Sequence, residues 1–114
     1  MHEFAIAQNL LERALAEAEK NEGKKILAVG VRLGKASHLT PDSIEFCFKA
    51  VAKGSIAEDA KVDVELLELK ARCRKCGQEF LAGDDHHRLV CPCGSTNVQV
   101  ISGEEVYLEN LVID

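Results

Sequence analysis

An α+β fold, with two helices packed on a three-stranded sheet and a small zinc-ribbon-like lobe inserted before the last strand, is what this sequence predicts. Three observations carry that expectation. Two segments repeat apolar residues every three or four positions, three others are β-prone, and two close cysteine pairs fall between the second and third of those β-prone segments. The order helix, strand, helix, strand, cysteine segment, strand divides the chain into an α+β domain, residues 1–69 plus 103–114, and a zinc-binding domain, residues 70–102.

The first helix is read from Phe4, Ala7, Leu10, Leu11, Ala14, Leu15 and Ala18, with Glu12, Arg13, Glu17 and Glu19 between them. It is expected to close near Asn21 and Gly23, residue types that tolerate a left-handed backbone. Ile26 to Leu33 reads as a strand with Leu27, Val29, Val31 and Leu33 on one face. Thr40-Pro41-Asp42 opens the second helix: Thr40 caps, Pro41 suits the first turn, and Asp42 complements the helix dipole. Its buried stripe is Ile44, Cys47, Phe48 and Val51, with Cys47 acting as a small buried hydrophobe, and Gly54 lies past its end. Val62, Val64 and Leu66 alternate with Asp63 and Glu65 as a second strand, and Val106 to Ile113 forms the last.

Composition narrows the function classes. The 114 residues are 46% hydrophobic and 29% charged, the profile of a globular chain able to bury a modest core. A net charge of −5 repels a phosphate backbone, although the stretch from Lys70 to Thr96 is locally basic. No apolar run reaches the roughly 18 residues of a membrane span, and no basic region leads into an apolar stretch at the N-terminus. A cytoplasmic protein with neither membrane nor nucleic acid among its partners is the expectation.

Cys73-x-x-Cys76-Gly77 and Cys91-Pro92-Cys93-Gly94 supply four thiolates in two tight turns. That is the donor set of a tetrahedral Zn²⁺, each turn giving two ligands and the intervening loop closing the far side. Iron could occupy the same thiolates. Four sulfurs fill a tetrahedral shell, so the metal's role is structural: it organises a segment too short to build its own core. His86 and His87 lie in the loop between the pairs as alternative ligands.

At the other end the chain opens Met1-His2-Glu3. A terminal amine, the following amide nitrogen and the His2 imidazole close fused chelate rings on one ion, and a planar nitrogen set of this kind favours Ni(II) or Cu(II) over zinc. Glu3 at a helix start is also stabilising for dipole reasons alone.

Met1 to Gln8, the strand from Val29 to Gly34, the helix after Thr40-Pro41, the two cysteine pairs followed by Gly94-Ser95, and the closing Gly103-Glu104-Glu105-Val106-x-Leu108 together resemble the HypA/HybF family of hydrogenase-maturation nickel chaperones over essentially the whole chain. One departure stands out. The family pattern has C-x-x-C in the second pair, whereas this chain has Cys91-Pro92-Cys93, leaving open whether His86 or His87 takes a cysteine's place. The resemblance implies Ni(II) bound by the Met1 amine, the His2 amide and imidazole and the Glu3 amide, and Zn(II) bound by Cys73, Cys76, Cys91 and Cys93. It also implies delivery of nickel during maturation of [NiFe]-hydrogenase, with urease served in some organisms. The implied partners are a maturation GTPase of the HypB type and the precursor of the hydrogenase large subunit, with the protein itself a monomer or weak homodimer.

Rival readings are a zinc-ribbon module binding nucleic acid or a transcription complex through the basic segment, and a small iron or redox carrier using the thiolates. The net negative charge and the scarcity of aromatic residues weigh against the first, and absorbance separates the second. An enzyme is disfavoured, since no Ser/His/Asp set, catalytic carboxylate pair or phosphate-binding glycine loop is present.

Overall fold

The computed structural model describes residues 3–82 and 89–114. Helix α1 spans Glu3–Lys20 and helix α2 Pro41–Val51. The strands are β1 Ile26–Gly34, β2 Lys61–Leu67, β3 Lys70–Cys73, β4 Glu79–Leu81, β5 Val98–Ser102 and β6 Val106–Ile113. They form two three-stranded sheets among the described residues, ordered β2-β1-β6 and β4-β3-β5.

The first sheet carries the main core. Strand β1 pairs in parallel with β2, Val29 opposite Val62 and Val31 opposite Val64, and antiparallel with β6 on its other side. Both helices pack on one face, where Leu10, Leu11 and Ala14 of α1 and Ile44, Cys47 and Phe48 of α2 meet Val29, Val31 and Leu33 in one cluster. Small alanines, Ala7, Ala14 and Ala18, are fully buried along α1 and allow the helix to lie close to its neighbours. Thr40 caps α2 as expected. Its hydroxyl accepts from the Ser43 N–H at 3.1 Å while the Ser43 hydroxyl accepts from the Thr40 N–H at 3.2 Å.

Two local expectations are corrected. Leu27 does not share the inward face with Val29: it is 46% exposed, while Ile26 is fully buried. The register shifts between Ile26 and Ala28 against β6, and one extra residue in a bulge reverses the alternation, so Ile26 takes the inward place. The left-handed residue that closes α1 is Glu22, with φ 56°, rather than Asn21 or Gly23. The Gly23 N–H donates to the Ala18 carbonyl at 2.7 Å and the Glu22 N–H to the Glu19 carbonyl at 3.1 Å, the two bonds of a Schellman closure.

The cysteine segment has a sheet of its own, β3, β4 and β5, which the sequence reading did not foresee. It meets the first sheet where β2 runs into β3 and β5 into β6. There Gly103, with φ +107°, lies so close to Leu69 that an added Cβ would sit 2.5 Å from the Leu69 Cα. Gly34 in turn lies against the Gly103 carbonyl. Backbone bonds tie the crossing: the Gly34 N–H donates to the Glu105 carbonyl at 2.8 Å and the Ala36 N–H to the Gly103 carbonyl at 2.9 Å. Lys35 and Glu68 add an ion pair at 2.6 Å.

Candidate metal centre

Strand β3 ends at Cys73, and the chain turns at once. The Gly77 N–H donates to the Cys73 carbonyl, and the Cys73 N–H to the Gln78 carbonyl, both at 2.9 Å. The second pair repeats this closure with one residue fewer. The Gly94 N–H donates to the Cys91 carbonyl at 2.7 Å and the Cys91 N–H to the Ser95 carbonyl at 2.9 Å. Gly77 and Gly94 have φ of 80° and 95°, the left-handed backbone that lets each turn reverse beneath its sulfurs. The short Cys91-Pro92-Cys93 pair is thus a tighter turn of the same kind.

The two turns face each other. Cys73 Sγ lies 3.7 Å from Cys93 Sγ, Cys76 Sγ lies 3.5 Å from Cys91 Sγ, and all four sulfurs fall within 4.8 Å of one another. Tetrahedral zinc with Zn–S bonds of about 2.3 Å requires sulfurs about 3.8 Å apart, so the donor set and its spacing fit that ion. Cys73 and Cys91 are buried, Cys76 and Cys93 exposed. No other group of three or more His, Cys, Asp or Glu side chains among the described residues has ligand geometry.

Backbone N–H groups point at the sulfurs. Those of Lys75 and Cys76 lie 3.3 and 3.4 Å from Cys73 Sγ, and that of Cys93 lies 3.5 Å from Cys91 Sγ. The Cys76 and Lys75 N–H groups, helped by the neighbouring thiols, bring the Cys73 thiol down to about 6 against the opposing effect of burial. At Cys91 the Cys93 N–H acts to lower the pKa, but burial and the surrounding sulfurs outweigh it and push the thiol up to about 12. One thiolate forms readily and opposes the next. A full set of four at this spacing needs a cation to compensate it.

The N-terminal residues proposed for nickel are only partly in view: Met1 and His2 lie outside the described residues, as do His86 and His87. Glu3 opens α1 beside α2, close enough that its charge adds to burial in raising the Cys47 thiol. That thiol is a core group, 5% exposed. Sequence reasoning missed the carboxylate of Glu105, which accepts from the N–H groups of Gly103 at 2.6 Å and Glu104 at 2.9 Å at the crossing between the sheets. It also missed the ion pairs of Arg32 with Glu109 and Glu65 on the sheet face away from the helices. The Glu105 contacts close a turn within two residues, whereas the Arg32 pairs depend on which strands become neighbours.

A helix-covered mixed sheet joined to a lobe that gathers four cysteine sulfurs defines a small two-lobed protein with one candidate metal site among its described residues. A family model described as hydrogenase/urease nickel incorporation, metallochaperone, hypA matches residues 1–113, and the chain belongs to that family. Among its relatives, the hydrogenase maturation factor HypA of Aquifex aeolicus is 36% identical, with all of this chain and 98% of that protein covered. The factor of the same name from Chlorobium luteolum is 33% identical, over all of this chain and 97% of that protein. The solution structure of the Ni metallochaperone HypA from Helicobacter pylori superposes with a TM-score of 0.74 at 27% identity, covering 99% of this chain and 97% of that one.

Proposed function

We propose that this protein is a nickel carrier. It binds Ni(II) through the Met1 amine, the His2 amide and imidazole and the Glu3 amide, and hands the ion on during assembly of a [NiFe]-hydrogenase, without chemical turnover of its own. The observation that carries this reading is the family match, which begins at residue 1 and so includes Met1-His2-Glu3. The chemistry is consistent: amine, amide and imidazole nitrogens at fixed covalent separation make the planar field that nickel rewards. Urease is a second destination, as the family's description suggests. A GTPase of the maturation machinery and the hydrogenase large-subunit precursor are the proposed partners, in the cytoplasm.

Zinc at Cys73, Cys76, Cys91 and Cys93 serves the fold. When bound, it cross-links the two turns and makes 70–102 a zinc-binding domain, while 1–69 with 103–114 carries nickel. The surrounding residues prepare for it: the N–H groups of Lys75, Cys76 and Cys93 stabilise thiolate charge, and Gly77 and Gly94 shape the turns.

The deciding experiment is a nickel titration of the native chain, a form with one residue added before Met1, and His2→Ala, with zinc counted in each. Extension turns the amine into an amide and moves the free amine out of the chelate. Tight nickel binding should disappear in both altered forms while zinc and fold persist, and should weaken in the native chain as pH falls and protons compete for its nitrogens. Equal affinity in all three removes the terminal site.

A further inference from the structure

Two sulfur contacts cross between the cysteine turns. Cys73 Sγ lies 3.7 Å from Cys93 Sγ and Cys76 Sγ 3.5 Å from Cys91 Sγ, the second contact nested inside the first in sequence. Each contact joins an exposed sulfur to a buried one, Cys93 to Cys73 and Cys76 to Cys91. A disulfide holds its sulfurs about 2.05 Å apart, so each contact falls short of a bond by about 1.5 Å. Bonding within the turns meets an obstacle instead. A bridge inside Cys91-Pro92-Cys93 spans one residue whose φ the proline ring fixes, too short and stiff for the geometry a disulfide needs. Were Cys73 to bond Cys76, the other two sulfurs would be left to that bridge.

We propose that the four cysteines form a reversible oxidation site, in which a hydroperoxide attacks Cys76 and Cys93 and the buried Cys91 and Cys73 resolve them into two cross-turn disulfides. The exposed thiolate attacks one peroxide oxygen, the O–O bond breaks, and a sulfenic acid and hydroxide result. Its buried partner then attacks the sulfenyl sulfur, forming the S–S bond and expelling a second hydroxide. Each disulfide thus gives two electrons to one peroxide, so two peroxides consume all four thiolates. The chain then has no thiolate left to hold a metal and releases it, while the two disulfides cross-link the turns in its place. Thiols reverse the step by exchange. The proposal rests on the reading of these sulfurs as a zinc site and is independent of nickel.

The test oxidises the full, zinc-loaded chain with hydrogen peroxide, reads zinc release with a chromogenic chelator, and maps the bonds after trypsin. Cleavage after Arg72, Arg74, Lys75 and Arg88 puts Cys73, Cys76 and the Cys91/Cys93 pair on three peptides. Cross-turn bonds link all three, whereas within-turn bonds link the first two and close the third on itself. Fragmentation between Cys91 and Pro92 should leave Cys91 with Cys76 and Cys93 with Cys73. A sulfenic-acid trap should label Cys76 and Cys93 at least tenfold more than Cys73 and Cys91. Circular dichroism should show the strands kept after zinc release, and dithiothreitol with zinc should restore the metal. Within-turn bonds, the opposite crosswise pairing, equal trapping at all four sulfurs, or oxidation past the sulfenic acid without disulfides each overturns the proposal. Zinc counted before oxidant keeps the two readings apart: a chain purified without zinc fails the metal reading, and mapping the reduced chain still decides the pairing.

Discussion

Cys73 and Glu105 show how much a single side chain decides here. Cys73 is buried at a strand end and receives two N–H groups, so its removal takes away a ligand and leaves those donors without an acceptor. Cys73→Ala should release zinc, read by metal analysis after purification without chelators. His86→Ala and His87→Ala should retain it, and X-ray absorption should show four sulfurs; three sulfurs and one nitrogen would move one cysteine out of the shell. Glu105 tests a different effect. The N–H groups of Glu105 itself and of Gly103 and Glu104 hold its carboxyl below the usual carboxylate range. A depressed folded-state pKa gives stability that is present above the unfolded value of about 4.3 and is lost as pH falls through the folded value. Urea unfolding of the native protein and Glu105→Gln should differ by about 0.5–1 kcal/mol at pH 7, a charged hydrogen bond discounted for solvent screening. The gap should close in acid; a gap constant with pH would assign the effect to packing.

At the scale of elements, the glycines separate two kinds of cost. Nothing lies within 4 Å of a Cβ added at Gly77 or Gly94, so alanine there meets only the left-handed backbone, roughly 1–2 kcal/mol. At Gly103 the backbone of Glu68 and Leu69 occupies the space as well, and φ is +107°. Gly94→Ala should shift a chelator-competition curve slightly and leave the first sheet unaffected, whereas Gly103→Ala should lower the denaturation midpoint of the whole protein. Equal effects of the two would mean that the crossing of the strands tolerates displacement. α2 belongs to the same scale: loss of the Thr40 hydroxyl in Thr40→Ala should cost about 1 kcal/mol, read by the same unfolding measurement.

The molecule as a whole is long for its size. Its radius of gyration is 17.0 Å, with extents of 53 × 26 × 17 Å, where a compact chain of this length would have a radius of about 13 Å. Two sheets joined by a crossing of short connections account for the excess. Their cores differ in kind. Among the described residues the first rests on sixteen buried residues, headed by Phe48, Ile26 and Leu33, whereas the second buries little besides Leu69, Ala71, Cys73 and Cys91. A lobe whose described residues bury so little would depend for its stability on a metal held by the four cysteines. Strong chelation should therefore raise amide exchange throughout 70–82 and 98–102 while β1 and α1 stay protected. Uniform loss of protection would make the two lobes one cooperative unit.

Most of this architecture was legible in the sequence because it is written locally. The period of α1, the Thr40-Pro41 start of α2, the alternation in β2 and the paired cysteines each depend on neighbours a few positions away, as do the turn glycines beside the sulfurs. Leu27 and the residue that closes α1, expected at Asn21 or Gly23, turned out otherwise. A bulge against β6 turned Ile26 inward in place of Leu27, and the closure of α1 put the left-handed residue at Glu22. Strands β3, β4 and β5 were not foreseen because short strands at a metal knuckle carry little alternation of their own; the sulfurs bring them together. The contact of Gly34 with Gly103 and the pairing of Arg32 with Glu109 arise between segments some seventy to eighty residues apart. Composition and spacing describe what each segment prefers, but only packing decides which segments become neighbours, and these features exist only once that choice is made.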